Sequence, residues 1–193
     1  FKSSYAVFGT AYGSVDTLIK TEKDGEFIKL PEGIAHYLEH KLFESEECSA
    51  FERYAKTGAS ANAYTSFDRT GYLFFFFYNF SESLEILLDF VTHPYFTAET
   101  VAKEQGIIGQ EIRMYDDSPD WRVLFNLLCA LYSKNPVRID IAGTQESISH
   151  ITAELLYKCY DKFYNLHNMV LAAAGDINVD EVISAADKIL KPA

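Results

Sequence analysis

From Gly33 to Phe43 the chain reads Gly-Ile-Ala-His-Tyr-Leu-Glu-His-Lys-Leu-Phe, and no other stretch restricts the fold as strongly. On a helix turning about 100° per residue, Glu39 and His40 fall at roughly −60° and +40° from His36. Ile34, Leu38 and Leu42 fall at roughly 160° to 240°, on the other side. Such a helix buries one face in a core and leaves the other free to line a cleft. Two histidines at i and i+4 can reach one cation, and imidazole nitrogen suits zinc. The carboxylate beside them is placed to take a proton from a water that the cation activates. With five His and sixteen Glu in 193 residues, chance gives His-x-x-Glu-His in only about 1% of such chains. An incidental polar face is therefore the weaker reading.

A zinc site needs a third protein ligand and an open position for water. A long helix is expected over 97–115, and Glu104 and Glu111 lie seven residues apart on it. They are about 20° from alignment, so both carboxylates project from one face and either can be the ligand. Taken alone, such a pair is also ordinary surface. Gly106 and Gly109 are unusual between them, each costing about 1 kcal/mol relative to Ala. Close approach of another backbone, such as the His36–His40 helix, would account for them.

The rest of the pattern alternates early strands, grouped helices and a late strand. Residues 5–19 read as a strand or strand pair, 21–33 as a loop, and 49–56 as a short helix. Residues 61–67 and 70–78 read as strands joined at Asp68 and Arg69, with Phe74 to Phe77 filling core. Residues 81–93 form an amphipathic helix with Leu84, Leu87, Leu88 and Val91 inward, stopped by Pro94. Helices follow over 119–132 and 152–164, around a loop containing Pro136 and Gly143, and 169–174 is a short apolar strand. Asn178 and Glu181 suggest a capping box opening the last helix. His93 reads as a helix cap, and His150 and His167 as structural or surface residues. Glu44, Glu46, Glu47 and Glu52 read as a solvated face. The class is α+β: a mixed, largely antiparallel sheet with helices packed on it, in one domain over 1–193.

Composition narrows the function. Hydrophobic residues at 48% and charged residues at 23% exclude a disordered chain and suffice for one core. A net charge of −11 without a Lys/Arg-rich stretch argues against a nucleic-acid or anionic-membrane surface. No apolar run approaches the ~18 residues of a membrane helix. Cys48, Cys129 and Cys159 are odd in number and lack C-x-x-C spacing. They read as free thiols in a reducing compartment, hence a cytoplasmic location. Opening at Phe1, the chain reads as a processed protein or a cut fragment.

His-x-x-Glu-His followed about seventy residues later by the Glu pair resembles the insulinase/pitrilysin zinc metallopeptidases, the inverzincins. Further markers extend the resemblance over nearly the whole chain. They are Tyr12-Gly13-Ser14, Ala61-Asn62-Ala63-Tyr64-Thr65-Ser66, Asp117 and Pro119 after Glu111, Gly143, Asn168-Met169 and Gly175-Asp176. The resemblance implies one zinc ion bound by His36, His40 and Glu111. It implies Glu39 as the base that activates water and Glu104 as a supporting carboxylate. Asn62 and Ala63 would lie on an edge strand that pairs with an extended peptide.

Members of the family pair two homologous halves. The chain would then be the metal-bearing N-terminal half of a longer two-half protease, acting on peptide or unfolded polypeptide. Its partner would be a C-terminal half or a homologous subunit, with a homodimer as a further possibility, and alone it would be inactive. Two rival readings are a non-catalytic scaffold paralogue and an S-ribosylhomocysteine lyase-type enzyme. The first tends to lose the motif, which is intact here. The second uses a Cys ligand in a Gly-Cys-Arg setting, which none of the three cysteines has.

Overall fold

The computed structural model describes residues 3–20, 25–76 and 79–190. Among them the elements run β1 (Ser4–Thr10), β2 (Leu18–Ile19), β3 (Ile28–Lys29), α1 (Ile34–Leu42), α2 (Ala50–Thr57), β4 (Ser60–Thr65) and β5 (Thr70–Phe76). There follow α3 (Phe80–Thr92), α4 (Ala98–Asp116), α5 (Pro119–Leu131), α6 (Gln145–Ser149), α7 (Ala153–Phe163), β6 (Met169–Gly175) and α8 (Val179–Ile189). Residues 21–24, 77 and 78, parts of the expected loop and strand, lie outside the described residues.

Four strands form one sheet in the order β4-β5-β1-β6, with every described ladder antiparallel. Helices pack on it, as the α+β reading expects. β1 shows the period of two: Ser4, Ala6, Phe8 and Thr10 are buried, and the residues between them less so. Ala6 lies opposite Phe74 and Phe8 opposite Tyr72, and none of the four is more than 2% exposed. α3 lies over this face against β1 and β5. Its Leu84, Leu87, Leu88 and Val91 are fully buried, each worth about 1.5–3 kcal/mol of transfer free energy. Phe75 was expected in the core but is 40% exposed. A pleated strand turns neighbouring side chains to opposite faces, and Phe75 shares the far face with Tyr5, Tyr64 and Val170, all exposed.

Helix α1 differs in one respect from the expected half-open helix. Ile34, Leu38 and Leu42 are buried as expected, but so are His36, Glu39 and Lys41. β4 and α4 both pack against it, which encloses the polar face too. The fully buried Lys41 pairs with Glu44, so Glu44 serves an internal cation and is not part of a solvated face. The start of α1 depends on a backbone contact. Gly33 has φ 87°, and a Cβ there would lie 2.4 Å from Ala142 O; at Gly143, φ 73°, it would lie 2.4 Å from Glu32 O. The loop before α6 thereby seats directly on the N-terminus of α1.

Three local expectations are corrected. The 21–33 loop contains β3, which pairs with β2, and the loop after α5 contains α6, whose capping box is Thr144 and Ser147. Both elements are too short to show a period. At α8, Asn178 accepts from Asp180 N, but Glu181 accepts the Ser81 hydroxyl at 3.1 Å and so ties α8 to α3. His93 does cap a helix, its Nδ1 donating to Asp89 O at 2.9 Å.

Gly106 and Gly109 are not sites of close approach. A Cβ at either meets nothing within 4 Å. The Gly106→Ala variant is therefore expected to raise stability by about 0.5–1 kcal/mol, through propensity and reduced unfolded-state entropy. Urea denaturation measures this, and a lower midpoint would show that the position needs its glycine.

Candidate metal centre

α1 carries His36, Glu39 and His40, and α4 runs beside it, held by the Tyr37 hydroxyl donating to Val101 O at 2.5 Å. This pairing brings the two glutamates of α4 to opposite edges of the His40 ring. Glu111 Oε2 lies 3.3 Å from His40 Nε2 and 3.7 Å from His36 Nε2. Glu104 Oε1 lies 2.9 Å from His40 Nδ1. One ligand atom from each of His36, His40 and Glu111 can be taken so that all lie within 4.8 Å of one another.

Glu39 stands apart from that trio and accepts the Thr65 hydroxyl at 2.5 Å. Asn62 and Ala63 are on β4, the edge of the described sheet. The Ala63 amide donates to the Asn62 side-chain carbonyl at 2.9 Å. His36, Glu39, His40, Glu111 and β4 residues 62–65 line one cavity of about 330 Å³, together with Tyr115, Trp121, Ile141 and Ala142.

The electrostatics suit a cation. Burial, then the neighbouring His40, lowers the His36 pKa to about 4, so its imidazole is neutral with a free lone pair. Its buried Nδ1 has no hydrogen-bond partner. Hydrogen bonding from His40 holds the Glu111 carboxyl at about 2 against burial. Burial disfavours charge on His40, but hydrogen bonds to Glu104 and Glu111 outweigh it and raise the pKa to about 10. Without metal a protonated His40 ring thus bridges the carboxylates, donating from Nδ1 to Glu104 and from Nε2 to Glu111, and a cation taking Nε2 would displace the proton there. Burial raises the Glu39 pKa, and the Thr65 hydrogen bond partly offsets this. Two imidazoles and a carboxylate match the donor set of a catalytic zinc site, and all three residues line the same cavity.

Sequence reasoning missed three contributors. Thr65 belongs to a strand remote in sequence from Glu39, and no local pattern announces the pair. Tyr115, whose hydroxyl donates to Glu111 Oε1 at 2.6 Å, is one helical turn from Glu111 and could have been found by i, i+4 spacing. Asp140 accepts Trp121 Nε1 at 2.6 Å, a contact between a helix and a loop.

Residues 29–145 match the family model described as insulinase, peptidase family M16. The chain belongs to this family. Residues 150–192 match a second model, the peptidase M16 inactive domain. An uncharacterized zinc protease of Bacillus subtilis, YmfH, is 54% identical over 184 residues, covering 95% of this chain and 43% of that protein. An uncharacterized zinc protease of Rickettsia felis is 31% identical over 163 residues, covering 82% and 40%. The crystal structure of an M16-like peptidase from Alicyclobacillus acidocaldarius superposes with TM-score 0.92 at 48% identity, over 97% of this chain and 44% of that one. The chain thus spans under half the length of these M16 relatives. Among the described residues no helix is long and apolar enough to cross a membrane.

Proposed function

We propose that this chain is the zinc-bearing N-terminal part of a metalloendopeptidase that hydrolyses peptides with water. The observation that carries the reading is the meeting of two imidazole nitrogens and a carboxylate oxygen within 4.8 Å. A separate buried carboxylate shares their cavity.

His36, His40 and Glu111 would hold one zinc ion, with Glu104 fixing the His40 ring through Nδ1. When bound, zinc supplies the Lewis acidity that makes water a nucleophile at neutral pH and polarises a carbonyl. Glu39 takes a proton from the attacking water and returns it to the leaving amine. Its raised pKa brings it nearer the working pH, which favours both transfers. β4 pairs with an extended peptide, so affinity comes from main-chain hydrogen bonds with little sequence preference. A peptide pairing at Ala63 displaces the Asn62 carboxamide, exchanging one hydrogen bond for another. Peptide or unfolded polypeptide is the substrate class.

The remaining part of the protein, a C-terminal half or a homologous subunit, would close the cleft from the other side. The sheet face bearing Tyr5, Tyr64, Phe75 and Val170 supports a covering partner, a second copy among them. Free thiols at Cys48, Cys129 and Cys159 support a cytoplasmic setting.

Zinc content of the full-length protein, measured by atomic emission, tests the ligand set. One zinc per chain is expected, lost in His40→Ala and in Glu111→Gln but largely kept in Glu104→Gln. Full retention in His40→Ala overturns the assignment. Loss in Glu104→Gln with retention in Glu111→Gln would make Glu104 the third ligand.

A further inference from the structure

The two oxygens of Glu111 have different surroundings. Oε2 faces Nε2 of both His36 and His40, at 3.7 and 3.3 Å. Oε1 accepts the Tyr115 hydroxyl at 2.6 Å. Tyr115 is itself held from the far side. Its ring stacks on Trp121 with centroids 4.6 Å apart and planes 16° from parallel. Trp121 Nε1 donates to Asp140 Oδ2 at 2.6 Å, and Asp140 Oδ1 accepts Ala142 N at 3.0 Å. The same Ala142 packs through its carbonyl against Gly33 at the start of α1. A closed circuit therefore runs from the loop before α6, through α5, to one oxygen on α4.

We propose that Tyr115 is a positioning residue that acts through Glu111, reserving Oε1 so that the carboxylate offers zinc only Oε2. This rests on the reading of His36, His40 and Glu111 as the zinc ligands. A carboxylate can ligate with one oxygen or two, and a second oxygen would take up the side that water needs. A charge-assisted hydrogen bond from a phenol engages the lone pairs of Oε1 and makes it a poorer ligand. Stacking on Trp121 keeps the phenol aimed, since a ring free to rotate away would release that oxygen. Trp121 and Asp140 are thus the support of the support, and loss of such outer partners typically weakens metal binding about 10–100-fold.

Full-length protein, its Tyr115→Phe variant and its Trp121→Phe variant, each loaded with cobalt(II) in place of zinc, provide the test. Phe at 115 keeps the ring on Trp121 and removes only the hydroxyl; Phe at 121 keeps a ring on Tyr115 and removes the donor to Asp140. The parent is expected to show the strong visible absorption of four-coordinate cobalt. Tyr115→Phe is expected to show the weaker bands of higher coordination, with zinc affinity down about 10–100-fold by chelator competition. Trp121→Phe should shift both readouts the same way by less, and it decides the matter if Tyr115→Phe does not fold. A parent that takes up neither cobalt nor zinc overturns the zinc reading itself. Normal uptake by the parent, with unchanged spectrum and affinity in the folded variants, overturns the role of Tyr115 alone.

Discussion

Replacing Glu39 with Gln in the full-length protein is expected to leave zinc content unchanged and to lower kcat/KM for peptide hydrolysis by ~100-fold or more. The change is nearly isosteric, and the amide can still accept the Thr65 hydroxyl that holds the carboxylate at 2.5 Å. What it removes is the capacity to accept a proton from water, and positioned general bases typically contribute 10²–10⁴-fold. Burial has already raised the Glu39 pKa, the direction that would suit a group proposed to take a proton and then return it. The loss should appear in kcat more than in KM, because the peptide pairing proposed for β4 would not use Glu39. Near-normal turnover by a zinc-loaded variant would assign the base elsewhere.

The second large effect concerns the chain by itself. The described residues carry a continuous apolar core, so the isolated chain is expected to fold and to bind zinc. It should nevertheless hydrolyse a quenched fluorescent peptide at least ~10³-fold more slowly, in kcat/KM, than the full-length protein at equal zinc occupancy. The reason is geometric. The cavity is lined by β4 residues 62–65 with Tyr115, Trp121, Ile141 and Ala142, and a second half would add the wall that holds the peptide in place. Holding a peptide against the attacking water is worth several kcal/mol of the barrier, and ~10³-fold corresponds to about 4 kcal/mol. Comparable kcat/KM for the two proteins would show that this part suffices and that no second half is required.

Local periodicity made α1 legible in the sequence. The i, i+4 spacing of His36 and His40 and the opposed Ile34, Leu38 and Leu42 depend only on helix geometry, which every residue carries in its own backbone preference. The same holds for the inward stripe of α3 and for the helices expected over 97–115 and 49–56, which the structure gives as α4 and α2. Strands were legible over 5–19 and 70–78, where β1 and β5 lie. Which face would be covered was not, so Phe75 was misplaced.

Helix geometry could bring Glu104 and Glu111 to one face but could not separate their surroundings. Only the packing of α4 on α1 sets Glu104 at Nδ1 of His40 and Glu111 at Nε2. The glycines between them misled because propensity records a cost without recording its cause, and here the space around both is open. Thr65 beside Glu39, Asp140 beneath Trp121 and the Gly33–Ala142 contact join residues far apart in the chain. Such contacts arise when elements already formed dock to bury apolar surface, and hydrogen bonds between them are selected by that docking. The sequence by itself determined the longer helices and the apolar stripes they bury; the tertiary structure decided that the polar face of α1 is enclosed as well and which oxygen meets which nitrogen, because that depends on a few ångströms of docking that no local pattern encodes.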